Sequence, residues 1–125
     1  MLRLLMLLTF VLLMSACSDK PAMQAAELAN AIKTGNAPLI LDVRTPDEYA
    51  AGHVPGAVLI PHDELESRIA ELGEPRALVV YCKSGRRAGI AEEILAEHGF
   101  AVTLLDGSWQ AWQKAKLPEE LTVNR

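Results

Sequence analysis

Two hydrophobic patterns alternate along the chain. Short runs that are apolar at nearly every position are separated by longer stretches in which apolar residues recur every three or four positions. Residues 22–34 carry Ala25, Leu28, Ala29 and Ile32 at helical spacing, and Gly35-Asn36 stops the pattern. Residues 38–43 are apolar except for Asp42, as in a strand buried on both faces. Thr45 as N-cap, Pro46 at the first helical position and Glu48 three residues after the cap predict a short helix opened by a capping box and closed at Gly52. Residues 57–60 read as a short strand ended by Pro61. Residues 62–72 read as a helix capped by His62, with Leu65, Ile69 and Leu72 on one face. A second fully apolar strand follows at 77–81. Residues 87–98 predict a helix with Ile90, Ile94 and Leu95 inward and Gly99 as its C-cap. Residues 101–105 form another strand, 108–116 a last helix, and Pro118 closes the domain.

Apolar strands separated by helices predict one α/β domain over residues 22–120, a parallel β-sheet flanked by helices on both faces. Residues 121–125 are left as a tail. Ligands in such sheets sit outside the carboxyl ends of the strands. Three segments reach that edge: Asp42 and Arg44, Cys82, and Asp106-Gly107.

The first 16 residues do not belong to this pattern. Met1-Leu2-Arg3 is a short basic start, and residues 4–14 are apolar but for Thr9. That run is too short to span a bilayer and has the form of a secretory signal. It ends in L-M-S-A-C, which resembles the lipobox of bacterial lipoproteins. The resemblance implies cleavage before Cys17, a lipid on the Cys17 thiol, residues 17–21 as a tether, and a domain anchored to the membrane and facing the periplasm. Ser18 after the cysteine favours the outer membrane. With Lys+Arg 12 against Asp+Glu 16, the formal charge is −4, and it is more negative once Arg3 is removed. This argues against general nucleic-acid binding, which needs a basic face.

There are two cysteines. If Cys17 carries lipid, Cys82 has no internal partner, and a lone thiol in an oxidising compartment is a liability unless it is used. Its surroundings indicate a use. Cys82-Lys83-Ser84-Gly85-Arg86-Arg87 joins a strand to a helix. Such a loop turns backbone N–H groups inward, and the helix N-terminus adds partial positive charge. Lys83, Arg86 and Arg87 add full charges. All of these favour thiolate over thiol and attract an anion. The simpler reading, a buried inert cysteine, does not account for cations at a helix N-terminus, where they are electrostatically disfavoured.

Three segments resemble the rhodanese homology domain: L-D-V-R-T-P-D-E-Y-A-A-G-H-V-P-G-A at 41–57, V-V-Y-C-K-S-G-R-R-A at 79–88, and L-L-D-G-S-W-Q-A-W at 104–112. The resemblance covers nearly all of the chain after the tether and is similar to small exported members of that family. It implies a sulfurtransferase in which Cys82 attacks the outer sulfur of a donor such as thiosulfate, releases sulfite and holds a persulfide. Cyanide or a thiol then accepts the sulfur. Carried over residue by residue, Lys83, Ser84, Gly85, Arg86 and Arg87 cradle the persulfide and the anion, while Asp42 and Arg44 brace the site. No cofactor is implied. Two alternatives stay open: a non-catalytic persulfide carrier, and a phosphatase or arsenate reductase of the same fold. The C-x-x-x-x-R loop is one residue shorter than the phosphatase form, which favours sulfur.

Asp42 and Arg44 share a face of the strand, so a purely structural pairing is equally consistent with the pattern. His53, in G-H-V-P-G, is expected to satisfy turn backbone, and His98 to sit in the last turn of its helix. None of the histidines has metal-ligand company. Trp109 and Trp112 are expected in the core, and no dinucleotide or phosphate-loop fingerprint is present.

Overall fold

The computed structural model describes residues 21–122. The expected signal segment, Cys17 and residues 123–125 lie outside the described residues. Five strands form one sheet: β1 (Ala22–Met23), β2 (Leu39–Asp42), β3 (Val58–Leu59), β4 (Ala77–Tyr81) and β5 (Ala101–Leu105). Their order is β1-β5-β4-β2-β3, and every neighbouring pair is parallel. The helices are α1 (Ala25–Lys33), α2 (Pro46–Ala51), α3 (Leu65–Arg68, continued by a 3₁₀ turn over Ile69–Leu72), α4 (Arg86–Glu97) and α5 (Ser108–Lys114). Asp42 is level with Tyr81, and Val80 with Leu104, so the carboxyl ends of β2, β4 and β5 meet at one edge.

Side chains alternate along each strand and so divide the core in two. Leu78, Val80 and Cys82 face a layer with Leu65, Ala88, Ala91 and Leu95, from α3 and α4. Val79 and Tyr81 face the opposite layer, with Leu28, Trp109 and Trp112 from α1 and α5. Helices therefore cover both faces, as the apolar strands require. Both tryptophans are buried there. Among the described residues, no helix is long and apolar enough to cross a membrane.

Several local expectations are corrected. The first helix begins at Ala25, not residue 22, because Ala22–Met23 pairs with Leu104 and Leu105 as an edge strand. Hydrogen bonds from Leu104 N to Pro21 O and from Asp106 N to Met23 O hold it there. Ile90 is not inward but 43% exposed. The stripe of α4 that meets the sheet is Ala88, Ala91 and Leu95, whose two alanines let the helix pack closely. Ile90, one position before Ala91, is turned by about 100° from that stripe. His62 does not cap a helix, since Glu64 precedes α3 and makes no side-chain cap. The His62 N–H instead donates to Val43 O at 3.0 Å. The start of α2 is as expected: Thr45 and Glu48 form the capping box reciprocally, and Pro46 opens the helix. The helix expected over 62–72 begins only at Leu65, and the last helix ends at Lys114.

At the end of β2 the structure buries two opposite charges. Asp42 is 0% exposed and Arg44 2%. Arg44 Nε lies 3.0 and 3.1 Å from the two Asp42 carboxylate oxygens, and Nη2 lies 2.7 Å from Oδ2. Nη2 also donates to Gly52 O at 2.7 Å, and the guanidinium stacks 4.6 Å from the centre of the Trp109 ring. The pair thus joins β2, the turn after α2, and α5. Removing one partner strands a buried charge, which costs about 3–5 kcal/mol. Asp42→Ala is predicted to lose stability of that size in urea denaturation. Replacing both residues, as Asp42→Leu with Arg44→Met, is predicted to lose clearly less. Equal losses in the two proteins would mean that the ion pair is not what the single substitution disrupts.

Candidate active site

The site is built where β4 runs out. Cys82 follows Tyr81 directly, and after three intervening residues α4 begins at Arg86. The turn between them depends on Gly85, whose φ of 119° is disfavoured for residues with a side chain. This conformation directs the Gly85 N–H to Cys82 Sγ at 3.0 Å. The sulfur therefore lies against the N-terminus of a 12-residue helix, where the helix dipole favours negative charge. Cys82 is 1% exposed and has no disulfide partner among the described residues.

The third segment closes over this loop from α5. Trp109 N donates to Cys82 O at 2.9 Å, and Gln110 N to Lys83 O at 3.1 Å. The turn before α5 needs Gly107: its φ is +71°, and a Cβ there would come within 2.7 Å of Ala111 Cβ. Ser108 follows with φ +52°. Left-handed backbone costs a residue with a side chain about 1–2 kcal/mol. Ser108 is 1% exposed, and its Oγ accepts from Cys82 N at 3.3 Å. Asp106, just upstream, accepts from Gln24 Nε2 at 2.7 Å and ties the edge strand to this corner.

The three cations of the loop have different positions. Lys83 and Arg86 are exposed, as is Ser84. Arg87 is partly buried, and its guanidinium grips Glu48, with Nη1 to Oε1 at 2.6 Å and Nη2 to Oε2 at 3.0 Å. Glu48 is also the residue that closes the capping box of α2. One carboxylate thus caps one helix and holds the first turn of another. Sequence reasoning reached Glu48 only as a cap and passed over Ser108. The signal for Ser108 was its place just after a strand at the carboxyl edge. Nothing local marks Glu48 as a partner of a residue 39 positions away.

Two recesses flank the loop. One, of about 220 Å³, includes Arg44, Glu48, Lys83, Trp109 and Gln113 in its lining. The other, of about 230 Å³, includes Ser84, Gly85, Asp106 and Ser108. A larger apolar recess of about 490 Å³, lined by Ile32, Trp112 and Leu117 among others, lies away from the loop and takes no part in it. His53 and His98 are engaged elsewhere. His53 Nδ1 lies 2.8 Å from Tyr49 O, with the rings stacked at 3.6 Å, and His98 Nε2 lies 2.9 Å from Glu66. Chemically, the loop offers one sulfur within reach of a backbone donor and a helix N-terminus, beneath a rim that carries exposed cations.

The Arg87 guanidinium draws the Glu48 carboxyl from its ordinary 4.5 down to about 2; partial burial opposes the shift, and the Thr45 N–H assists it. A carboxyl depressed on folding contributes stability that is full above its unfolded value and is lost as pH falls through the folded one. Glu48→Gln is predicted to cost about 2 kcal/mol near neutral pH, a figure reduced for partial solvent screening. The difference between the two proteins should stay flat above about pH 5 and shrink steadily between 4.5 and about 2. Urea titrations at several pH values measure it, and a difference independent of pH over that window would remove the electrostatic account.

Residues 24–115 match the rhodanese-like domain family. The chain is 37% identical over 81 residues to a sulfurtransferase of Allochromatium vinosum, covering 64% of this chain and 76% of that protein. It is 44% identical over 62 residues to the thiosulfate sulfurtransferase PspE of Escherichia coli, covering 48% of this chain and 60% of that one. Another relative, an HTH-type transcriptional regulator of Mycobacterium tuberculosis, is 40% identical over 81% of this chain, which spans only 45% of the regulator's length. Among solved structures, a rhodanese-related protein from Thermoplasma volcanium aligns with 81% of this chain and 98% of its own, at a TM-score of 0.73 and 31% identity. Sulfur transfer is the chemistry these relatives support at the level of the family. The matched residues take in the cysteine loop and both segments that close on it, and the chain belongs to the rhodanese-like domain family.

Proposed function

We propose that this protein is a sulfurtransferase that carries sulfane sulfur as a persulfide on Cys82. The observation that carries the reading is the seat of the sulfur. Cys82 Sγ accepts the Gly85 N–H at 3.0 Å, faces the start of α4, and is shielded from solvent. The Gly85 N–H and the start of α4 turn positive partial charge toward the sulfur, and a second sulfur bound to it would lie within the same loop. The thiolate attacks the outer sulfur of thiosulfate, and the sulfur–sulfur bond of the donor breaks. Sulfite leaves with the electron pair. Cyanide or a thiolate then attacks the outer sulfur of the persulfide, and the pair returns to Cys82 Sγ.

Lys83 and Arg86 on the rim attract the anionic donor, while the backbone of Ser84 and Gly85 lines the seat. Arg87, fixed by Glu48, holds the α4 side of the loop in place. Asp42 and Arg44 act on the site through their grip on Gly52 and Trp109. The short C-x-x-x-x-R loop supports sulfur over phosphate, because an oxyanion attacked at its centre needs a wider ring of donors than a terminal sulfur.

Incubation with thiosulfate should add one sulfur atom to the intact mass of the wild-type protein and none to Cys82→Ser. Thiocyanate should form over many turnovers with cyanide, which separates an enzyme from a one-shot carrier. Unchanged mass in the wild type, or sulfur loading in Cys82→Ser with its fold intact by circular dichroism, would refute the reading.

We also propose that the protein is a lipoprotein held at the membrane through Cys17, with its domain in the periplasm. The support is the sequence of residues 1–17 alone. A run of that length does not remain as an anchor, whereas several acyl chains on one cysteine hold firmly, at about 0.8 kcal/mol per buried CH₂. Labelled palmitate should enter the wild type and not Cys17→Ser, and only the wild type should fractionate with membranes. A wild type that is unlabelled and soluble would leave a plain cleaved signal.

A further inference from the structure

We propose that Ser108 is a positioning residue for the chemistry of Cys82, its hydroxyl donating a hydrogen bond that stabilises the sulfur as a thiolate. For the reaction this deepens the sulfur-transfer reading and rests on it; the hydrogen bond itself rests only on the geometry of the corner.

Three observations lead to it. The first is conformational. Ser108 adopts φ +52° directly after Gly107 at +71°, a backbone in which glycine is the least strained choice. A residue with a side chain stays in such a state only when its surroundings over-determine it, and those places cluster at functional sites. Here the surroundings are the hydrogen bonds from Trp109 N and Gln110 N to the Cys82 and Lys83 carbonyls.

The second is an accounting of the hydroxyl. Serine oxygen offers one proton and two lone pairs. A lone pair takes the Cys82 N–H at 3.3 Å. The remaining contact of this oxygen among the described residues is Cys82 Sγ, at 3.9 Å, within reach of a hydrogen bond to sulfur. A thiolate has no proton to give, so in that form the serine must be the donor. Ser108 then solvates the sulfur from α5, and Gly85 N–H does so from the α4 side.

The third is where charge sits during transfer. When the acceptor attacks the outer sulfur of the persulfide, the bond to Cys82 breaks and its electron pair comes to rest on Sγ. No outside oxidant or reductant is needed: the persulfide is reduced to the Cys82 thiolate while the acceptor is oxidised by the sulfur it gains. A donor aimed at Sγ, not at the outer sulfur, lowers the barrier for unloading. It also holds the thiolate ready for the next donor. Because Cys82 is almost fully buried, solvent water contributes little to this task.

The test uses Ser108→Ala and Ser108→Gly in the full-length protein. Glycine accepts φ +52° without strain, so it removes the hydroxyl and keeps the fold, which circular dichroism checks. Alkylation by iodoacetamide is followed at the Cys82 peptide as a function of pH, and sulfur release to cyanide is timed from the preloaded persulfide. Both variants should shift the alkylation midpoint to higher pH by about one unit and slow release by about tenfold or more, as expected for losing a hydrogen bond to a charged atom. Variants that alkylate and release sulfur like the wild type would overturn the proposal. If thiosulfate never loads the wild type but the variants still shift the midpoint, the sulfur-transfer reading falls and the hydrogen bond stands.

Discussion

The buried pair of Asp42 and Arg44 is the constraint on which the site depends. A charge sealed from water must be matched by geometry, and Arg44 is matched on every side: by the Asp42 carboxylate, by Gly52 O, and by the face of Trp109. Each partner belongs to a different segment. Trp109 in turn donates its backbone N–H to Cys82 O at 2.9 Å, so the ion pair reaches the cysteine through two contacts. The pair lies on the opposite side of the sheet from Cys82, whose side chain faces the α4 layer. It holds the frame and leaves the reacting atoms to other groups. Such a pair adds little net stability over an apolar replacement, but it fails sharply when half of it is removed. That asymmetry suits a corner where three loops must keep one arrangement.

Glu48 solves a second electrostatic problem. Lys83, Arg86 and Arg87 crowd the start of α4, where the helix dipole already repels positive charge. Arg87 is relieved by a bidentate carboxylate, the strongest form of such contacts, and that carboxylate is itself fixed by the Thr45 capping box. Lys83 and Arg86 remain exposed at the rim. The loop therefore separates its cations into one that is held by an ion pair and two that stay exposed at the rim. The backbone N–H of Gly85, with no side chain in the way, contacts the sulfur.

The parts of this arrangement that were legible in the sequence are the parts set by local pattern. Apolar runs gave the strands because a parallel strand is buried on both faces, and the strand-to-helix junction gave the cysteine loop. Thr45, Pro46 and Glu48 gave the start of α2 because a capping box is decided within four residues. What escaped was set by tertiary contact. Ala22–Met23 is a strand only because β5 offers it an edge, and two residues show no period. Ile90 looked inward because it is the larger residue, but close packing on the sheet selected Ala88 and Ala91. Glu48 bridges to Arg87 across the fold, and Ser108 reaches Cys82 from 26 positions away. Asp42 and Arg44 were placed on one face correctly, yet the pattern did not decide between a structural pair and a working one. The structure shows the pair formed and sealed.

The burial of Cys82 has a further consequence for the proposed chemistry. At 1% exposure the sulfur is poorly placed to meet a bulky thiol or an oxidant directly. A persulfide moves the reactive atom outward, since a sulfur–sulfur bond is about 2.05 Å long. The acceptor then meets the outer sulfur, while Sγ stays within its cage of donors. Loading demands a donor slim enough to bring a terminal sulfur down to Sγ, which thiosulfate is. Unloading would make a smaller demand, because the outer sulfur of the persulfide stands one sulfur–sulfur bond beyond Sγ. Under the proposed chemistry, selectivity for the donor and tolerance for the acceptor would arise from one geometric fact: the depth of Cys82 at the end of β4.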